Sequence, residues 1–149
     1  MNDPARKKMV FRTLHLRFSP SLNRPCRTAG KNHLAIGALG EKIARVHLRA
    51  AGRRILSCNF RAPRGGEVDI VARDGKTLTF VEVKTRTSRE FGRPLDAVNN
   101  RKKQLMQRGA QEWLRLLGTR DLPWRFDVAE VILLEGEKPS IHIVEDVVC

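Results

Sequence analysis

The chain has 149 residues, 41% of them hydrophobic, and carries a formal net charge of +13. That length suits one domain with a proper core and is short for two, and the apolar content argues against a disordered chain. No apolar run approaches bilayer-spanning length, and the positive charge points to a polyanionic partner, nucleic acid before an anionic membrane, since no basic amphipathic helix with exposed aromatics is evident.

In chain order, residues 1–33 come first, with eight Lys or Arg against Asp3 alone, a net of +7. Pro4, Pro20 and Pro25 interrupt them and no periodicity is sustained, so a mobile basic arm is expected. An Arg-rich transit peptide, or an extension from an early start with Met9 as a second start, stays open beside that reading. From residue 34 to 149 a single folded domain is expected. Leu34 to Ala51 reads as a helix, with Leu39, Ile43, Val46 and Ala50 at three-to-four spacing and Gly52 as a stop. Glu41 shares its stripe with Ala44 and Leu48, and so projects from an apolar face.

Three strands follow. Ile55 to Arg61 is short and mixed; Glu67 to Arg73 alternates up to the turn signal Asp74-Gly75; Thr77 to Arg86 is the strongest strand in the chain. Asp96 to Leu117 reads as a second helix, with Leu105, Met106, Ala110, Trp113, Leu114 and Leu117 as its apolar stripe and Gly118 ending it. Two last strands, Arg125 to Leu134 and Ser140 to Val148, flank a turn at Gly136 and Pro139. The order α-β-β-β-α-β-β predicts an α/β fold, a mixed sheet flanked by helices. Cys26, Cys58 and Cys149 form no CxxC and no metal spacing, which argues against a disulfide framework or zinc and fits a reducing, cytoplasmic setting.

The informative segments are Gly66-Glu67-Val68-Asp69-Ile70 and Phe80-Val81-Glu82-Val83-Lys84. With Asp74-Gly75 as a two-residue loop, Val71 opposes Leu78, Asp69 opposes Phe80 and Glu67 opposes Glu82. Glu67, Asp69, Glu82 and Lys84 then emerge on one face, with Asp69 and Glu82 as diagonal neighbours roughly 7–8 Å apart. Crowded carboxylates repel one another and raise their pKa values unless a cation intervenes. Hard oxygen ligands with no His or Cys nearby point to Mg²⁺ or Mn²⁺. The plain alternative is a solvated Glu82–Lys84 surface pair worth under about 1 kcal/mol. Against it, Leu78 and Phe80 share that face while Val81 and Val83 cover the other, as in a central, covered strand.

Gly40-Glu41, Gly66-Glu67-Val68-Asp69, Phe80-Val81-Glu82-Val83-Lys84-Thr85-Arg86, Phe91-Gly92 and Arg125-Phe126-Asp127-Val128 occur in an order that resembles the bacterial YraN-like family. That family is grouped with the restriction-endonuclease-like superfamily, which includes archaeal Holliday-junction resolvases. The resemblance covers about residues 34 to 148 and leaves the basic leader outside. It implies a nuclease-like domain and metal-dependent cleavage of phosphodiesters, possessed by enzymes acting on structured DNA in repair or recombination. The superfamily's acid, then acid-x-Lys, falls on Asp69, Glu82 and Lys84, and the helical glutamate of resolvase-like members falls on Glu41. The superfamily's proline before the first acid is absent here, where Val68 stands. The resemblance makes Asp69 and Glu82 ligands of one metal, with the Val83 carbonyl a further ligand and Glu41 reaching in directly or through water. Lys84 then positions the attacking water and stabilises developing charge.

Arg86, Arg89 and Arg93, with Arg101, Lys102 and Lys103 near the front of the second helix, are the residues expected to grip phosphates. Cations at a helix N-terminus oppose its dipole, and a bound phosphate would relieve the conflict. A solvated basic face is the equal alternative. Trp124 and Phe91 are candidates for stacking on bases, with core packing the commoner role. A homodimer would suit cutting of paired strands, although no interface signal stands out. Two other classes of function compete: a non-catalytic nucleic-acid-binding scaffold, and a basic module of the ribosome or nucleoid, which gives no reason for four charged residues gathered on one face.

Overall fold

The computed structural model describes residues 33–89, 99–119 and 121–148. The expected arm 1–33 lies outside them but for His33, as do Phe91, Arg93 and Asp96. The elements are α1 (His33–Ala50), β1 (Arg54–Arg61), β2 (Glu67–Asp74), β3 (Thr77–Arg86), α2 (Asn100–Leu117), β4 (Trp124–Ile132) and β5 (Ser140–Val144). The order α-β-β-β-α-β-β is the one the periodicities predict.

The strands form one sheet in the order β1-β2-β3-β4-β5. All neighbours are antiparallel except β3 and β4, which are parallel and have α2 between them in the chain. The sheet is therefore mixed, with β3 at its centre. Alternation along β3 explains why it is covered on both sides. Phe80 joins the cluster that buries Met106, Ala110, Trp113 and Leu114 of α2, whereas Val81 joins the one that buries Ala44 and Leu48 of α1. One helix thus lies on each face. Among the described residues no helix is long and apolar enough to cross a membrane.

Three expectations need correction. The β2–β3 loop is Gly75-Lys76 rather than Asp74-Gly75, because Asp74 pairs with Thr77. The positive φ of Gly75, 57°, explains the placement: this turn needs its glycine at the first loop position. The register moves by two residues in sum, so side-chain parity survives although every predicted pair changes: Val71 opposes Phe80, and Arg73 opposes Leu78. On α1, Leu39 and Val46 are 47% and 59% exposed; the buried stripe is Gly40, Ala44 and Leu48. Small residues win that face because the helix lies close to the sheet. A Cβ on Gly40 would sit 1.9 Å from Thr85 Oγ1. Lastly, β5 stops at Val144. Asp146 takes a positive φ of 52° and the chain turns back, so that Val147 N–H donates to the Phe126 carbonyl at 2.8 Å.

Candidate metal and phosphate site

The site begins where β2 loses its regularity. In strict alternation Val68 would point with Ile70, yet Val68 and Val71 bury in the α2-side cluster while Ile70 and Ala72 bury beneath α1. The chain therefore turns over near Asp69. Across the β1–β2 ladder, Asn59 lies between the paired residues Cys58 and Phe60 and has a φ of 50°, a conformation asparagine tolerates better than most residues.

Helix α2 is seated on this irregular stretch by two glycines. A Cβ on Gly66, whose φ is 117°, would come within 2.5 Å of the Gly109 nitrogen, and one on Gly109 would touch Val68 and the backbone of Glu67. The N-terminus of α2 is fixed by Asn99, whose side chain accepts a hydrogen bond from Lys102 N–H at 2.9 Å. Lys102 itself lies one and two turns before buried Met106 and Gly109, on the helix face that meets the sheet.

Consequently the Lys102 ammonium enters a ring of acids. Its Nζ lies 2.8 Å from Glu67 Oε1, 3.1 Å from Glu82 Oε2 and 3.5 Å from Asp69 Oδ1. Glu82 is 2% exposed, and its other oxygen, Oε1, is 2.9 Å from Lys84 Nζ. Glu82 Oε2 has no hydrogen bond of good geometry, its approach to Lys102 being an ion pair only. Asp69 is steadied from the backbone, accepting from Val83 N–H at Oδ2 over 2.9 Å. Glu82, Val83 and Lys84 thus each take part, Val83 through its amide.

Electrostatics follow the geometry. Burial, and then the charge of Asp69, push the Glu82 carboxyl up to about 7. The hydrogen bond from Lys102 holds Glu67 below the usual carboxylate range. Burial alone would lower the Lys102 pKa, but Asp69, Glu67 and Glu82 outweigh it and hold the ammonium firmly charged. Glu41 approaches from α1. Its carboxylate accepts from Asn59 Nδ2 at 2.9 Å rather than joining the ring around Lys102. Burial raises its pKa and the charge of Asp69 adds to the effect, so it stands within electrostatic reach of the cluster.

The structure thus brings Glu67, Asp69, Glu82 and Lys84 together as alternation expects, adds Lys102, and sets Glu41 at the margin through Asn59. The expected phosphate grip divides. Lys102 is not a free surface cation; it is drawn inward by three carboxylates. Arg86 Nε donates to Glu130 at 2.6 Å, and exposed Arg89 pairs with Glu137 at 2.6 Å. Arg101 is exposed and Lys103 half-buried on the same helix end. Trp124 is exposed at the start of β4 and packs edge-on against Phe126 and Phe80.

Among the described residues no group of three His, Cys, Asp or Glu side chains is already set to hold a metal. The donor set nevertheless suits a hard divalent ion. Three carboxylates surround one cation, every donor is oxygen, and buried Glu82 Oε2 lacks a hydrogen bond. The Asn59 contact and the inward turn of Lys102 were the parts that sequence reasoning missed. The 102-106-109-113 spacing of the buried α2 face was the available signal for Lys102.

The sequence pattern of the uncharacterised protein family UPF0102 matches residues 40–131, which include Glu41, Asn59, the acids and Lys102. The chain belongs to this family. A UPF0102 protein of Trichlorobacter lovleyi is 46% identical over 114 residues, covering 76% of this chain and 89% of the relative. One from Geobacter sulfurreducens is 46% identical over 114 residues, covering 76% and 88%, and one from Alkaliphilus oremlandii is 48% identical over 110 residues, covering 72% and 93%.

Proposed function

We propose that this UPF0102 protein is a metal-dependent phosphodiesterase acting on nucleic acid, with DNA as the first substrate to test. The observation that carries the reading is the convergence of Glu67, Asp69 and buried Glu82 on a single cation beside Lys84. Burying a carboxylate such as Glu82 carries a desolvation cost even when cations pair with it, so the arrangement needs a reason beyond folding. The net charge of +13 gives the reason a substrate.

In this reading Asp69 and Glu82 hold Mg²⁺ or Mn²⁺, Glu67 and Glu41 complete the acidic surround, and the Val83 amide keeps Asp69 oriented. When bound, the ion supplies a Lewis acid for the phosphate and lowers the pKa of an attacking water. Lys84, released in part from Glu82, directs its ammonium hydrogens to that water and to phosphate oxygens, where negative charge develops. Arg101 and Lys103 attract the phosphate backbone toward the helix end.

The test is cleavage of branched, duplex and single-stranded DNA and of RNA, with Mg²⁺, Mn²⁺ or EDTA. Cutting is expected only with metal, and should be abolished in Asp69→Ala and Lys84→Ala while nucleic-acid binding persists. Wild-type rates in either variant, or in EDTA, would refute the assignment. A second reading has a specific observation behind it: Lys102 already neutralises part of the acid ring, as suits a non-catalytic nucleic-acid-binding scaffold. Equal binding with and without metal, and no cutting of any substrate, would favour the scaffold.

A further inference from the structure

We infer that Lys102 is a resident counter-ion that must leave the acid ring before a divalent metal enters, and that a substrate phosphate at the α2 N-terminus draws it out. The inference rests on the metal-site reading above and adds to it an order of events and a coupling between two ligands.

Charge arithmetic comes first. Glu67, Asp69 and Glu82 supply three negative charges, and Lys84 and Lys102 two positive ones, leaving the ionised cluster one charge short. Exchanging the Lys102 ammonium for a divalent ion brings the same cluster to neutrality. Both cations cannot be present together. Nζ already stands within 3.5 Å of all three acids, and a metal bound at roughly 2.0–2.1 Å by the same oxygens would face that like charge at close range. The second observation is Glu82 Oε2, on a side chain 2% exposed, aimed into the ring and without a hydrogen bond. The ammonium therefore holds this oxygen incompletely.

The departing side chain has somewhere to go. Lys102 lies in the first turn of α2, which holds no acidic residue, and its long stem can turn outward from a backbone that Asn99 caps. Exposed Arg101 and half-buried Lys103 flank it. Three cations in that turn oppose the helix dipole, and a phosphate placed there is favoured by the dipole and by all three side chains. A phosphate thus stabilises the outward Lys102, and the outward Lys102 opens the ring to metal. By reciprocity each ligand strengthens the other's binding.

Mn²⁺ binding to the full chain, followed by titration calorimetry before turnover and with or without a short duplex DNA, tests this. In wild type the DNA should tighten Mn²⁺ binding by about 5–150-fold, the usual range of such couplings. In Lys102→Met, Mn²⁺ should bind at least about tenfold tighter than wild type without DNA, and DNA should add little further. Lys102→Arg, which retains the charge, should keep the wild-type weakness and the DNA effect. If Lys102→Met folds poorly in EDTA, Lys102→Gln serves, with the Mn²⁺-induced rise in Tm exceeding that of wild type. Unchanged or weaker Mn²⁺ binding in the uncharged variants, while wild type binds and Asp69→Ala does not, overturns the gate and leaves the metal site standing. No binding by any protein, with DNA or without, overturns both.

Discussion

The molecule carries two ionic clusters, each centred on a buried carboxylate between two basic side chains, and they are finished to different degrees. At the hairpin end of the sheet, Asp127 is fully buried and saturated. Arg53 Nη1 donates to it at 2.6 Å, Arg125 Nε at 2.9 Å and Asp146 N–H at 3.0 Å. Other nitrogens of the two guanidinium groups lie against Asp74 and Glu145. Arginines with fixed forks suit such a closed network. The Glu82 cluster uses lysines instead, whose point charges hold an oxygen without fixing it, and it leaves Glu82 Oε2 without a hydrogen bond. The first cluster joins β2, β4 and the segments flanking β1 and β5, and so serves the fold; the second retains capacity for a ligand.

Breaking the two clusters should therefore have unequal consequences. Asp127→Ala leaves buried Arg53 without its fully buried carboxylate partner, and a loss of about 3–5 kcal/mol in urea unfolding is expected. Glu82→Gln near neutral pH in EDTA should cost less than about 1 kcal/mol, since one acid among three repelling neighbours has been neutralised. Equal losses at the two positions would erase the distinction.

The pH dependence sharpens it. Glu82 has an ordinary pKa of 4.5 unfolded and about 7 folded, because burial and Asp69 disfavour its charge. Between those values the folded chain binds more protons at this residue than the unfolded chain, so the contribution falls as pH rises. Measured as wild type minus Glu82→Gln without metal, stability should be greatest below about pH 4.5. It should decline by on the order of 3 kcal/mol by the time pH has risen through 7. Mn²⁺ should flatten the decline. A difference that grew with pH would mean that the fold stabilises the Glu82 carboxylate as an anion.

A third effect concerns the helix that carries Glu41. Gly40→Ala pushes a methyl onto Thr85, and about 1–3 kcal/mol of destabilisation is expected, with partial recovery in the double variant carrying Thr85→Ala. Additive losses in the pair would show that this contact does not set the α1–sheet distance.

These positions also show what sequence could and could not reveal. Period-two alternation located β2 and β3 and placed Asp69, Glu82 and Lys84 together, because a two-residue error in register sum preserves parity. It could not foresee the break in alternation at Asp69, which depends on Asn59 opposite and on Gly66 meeting Gly109 from a distant helix. On α1 the large residues Leu39 and Val46 outweighed the small stripe in any hydrophobicity count, yet proximity to Thr85 decided for Gly40 and Ala44. Lys102 was read with its charged neighbours Arg101 and Lys103 because adjacency in sequence is visible. Its alignment with Met106 and Gly109 is helical, and its meaning appears only once three acids lie beneath it.

The smallest effect separates fold from substrate grip most cleanly. Arg89 and Glu137 form an ion pair in which both side chains are more than half exposed, whereas Arg86 and Glu130 form a largely buried one. An exposed pair contributes little, so Arg89→Ala should shift stability by less than about 0.5 kcal/mol. If Arg89 leaves Glu137 for a phosphate, the same variant should weaken DNA binding across sequences. The slope of log affinity against log salt should then become shallower by about 0.9. Arg86, held by Glu130 at 2.6 Å, is committed to β4 by comparison, and Arg86→Ala should act on stability before it acts on the salt slope. An unchanged slope in Arg89→Ala would assign that arginine to the solvated surface and confine the grip to the front of α2.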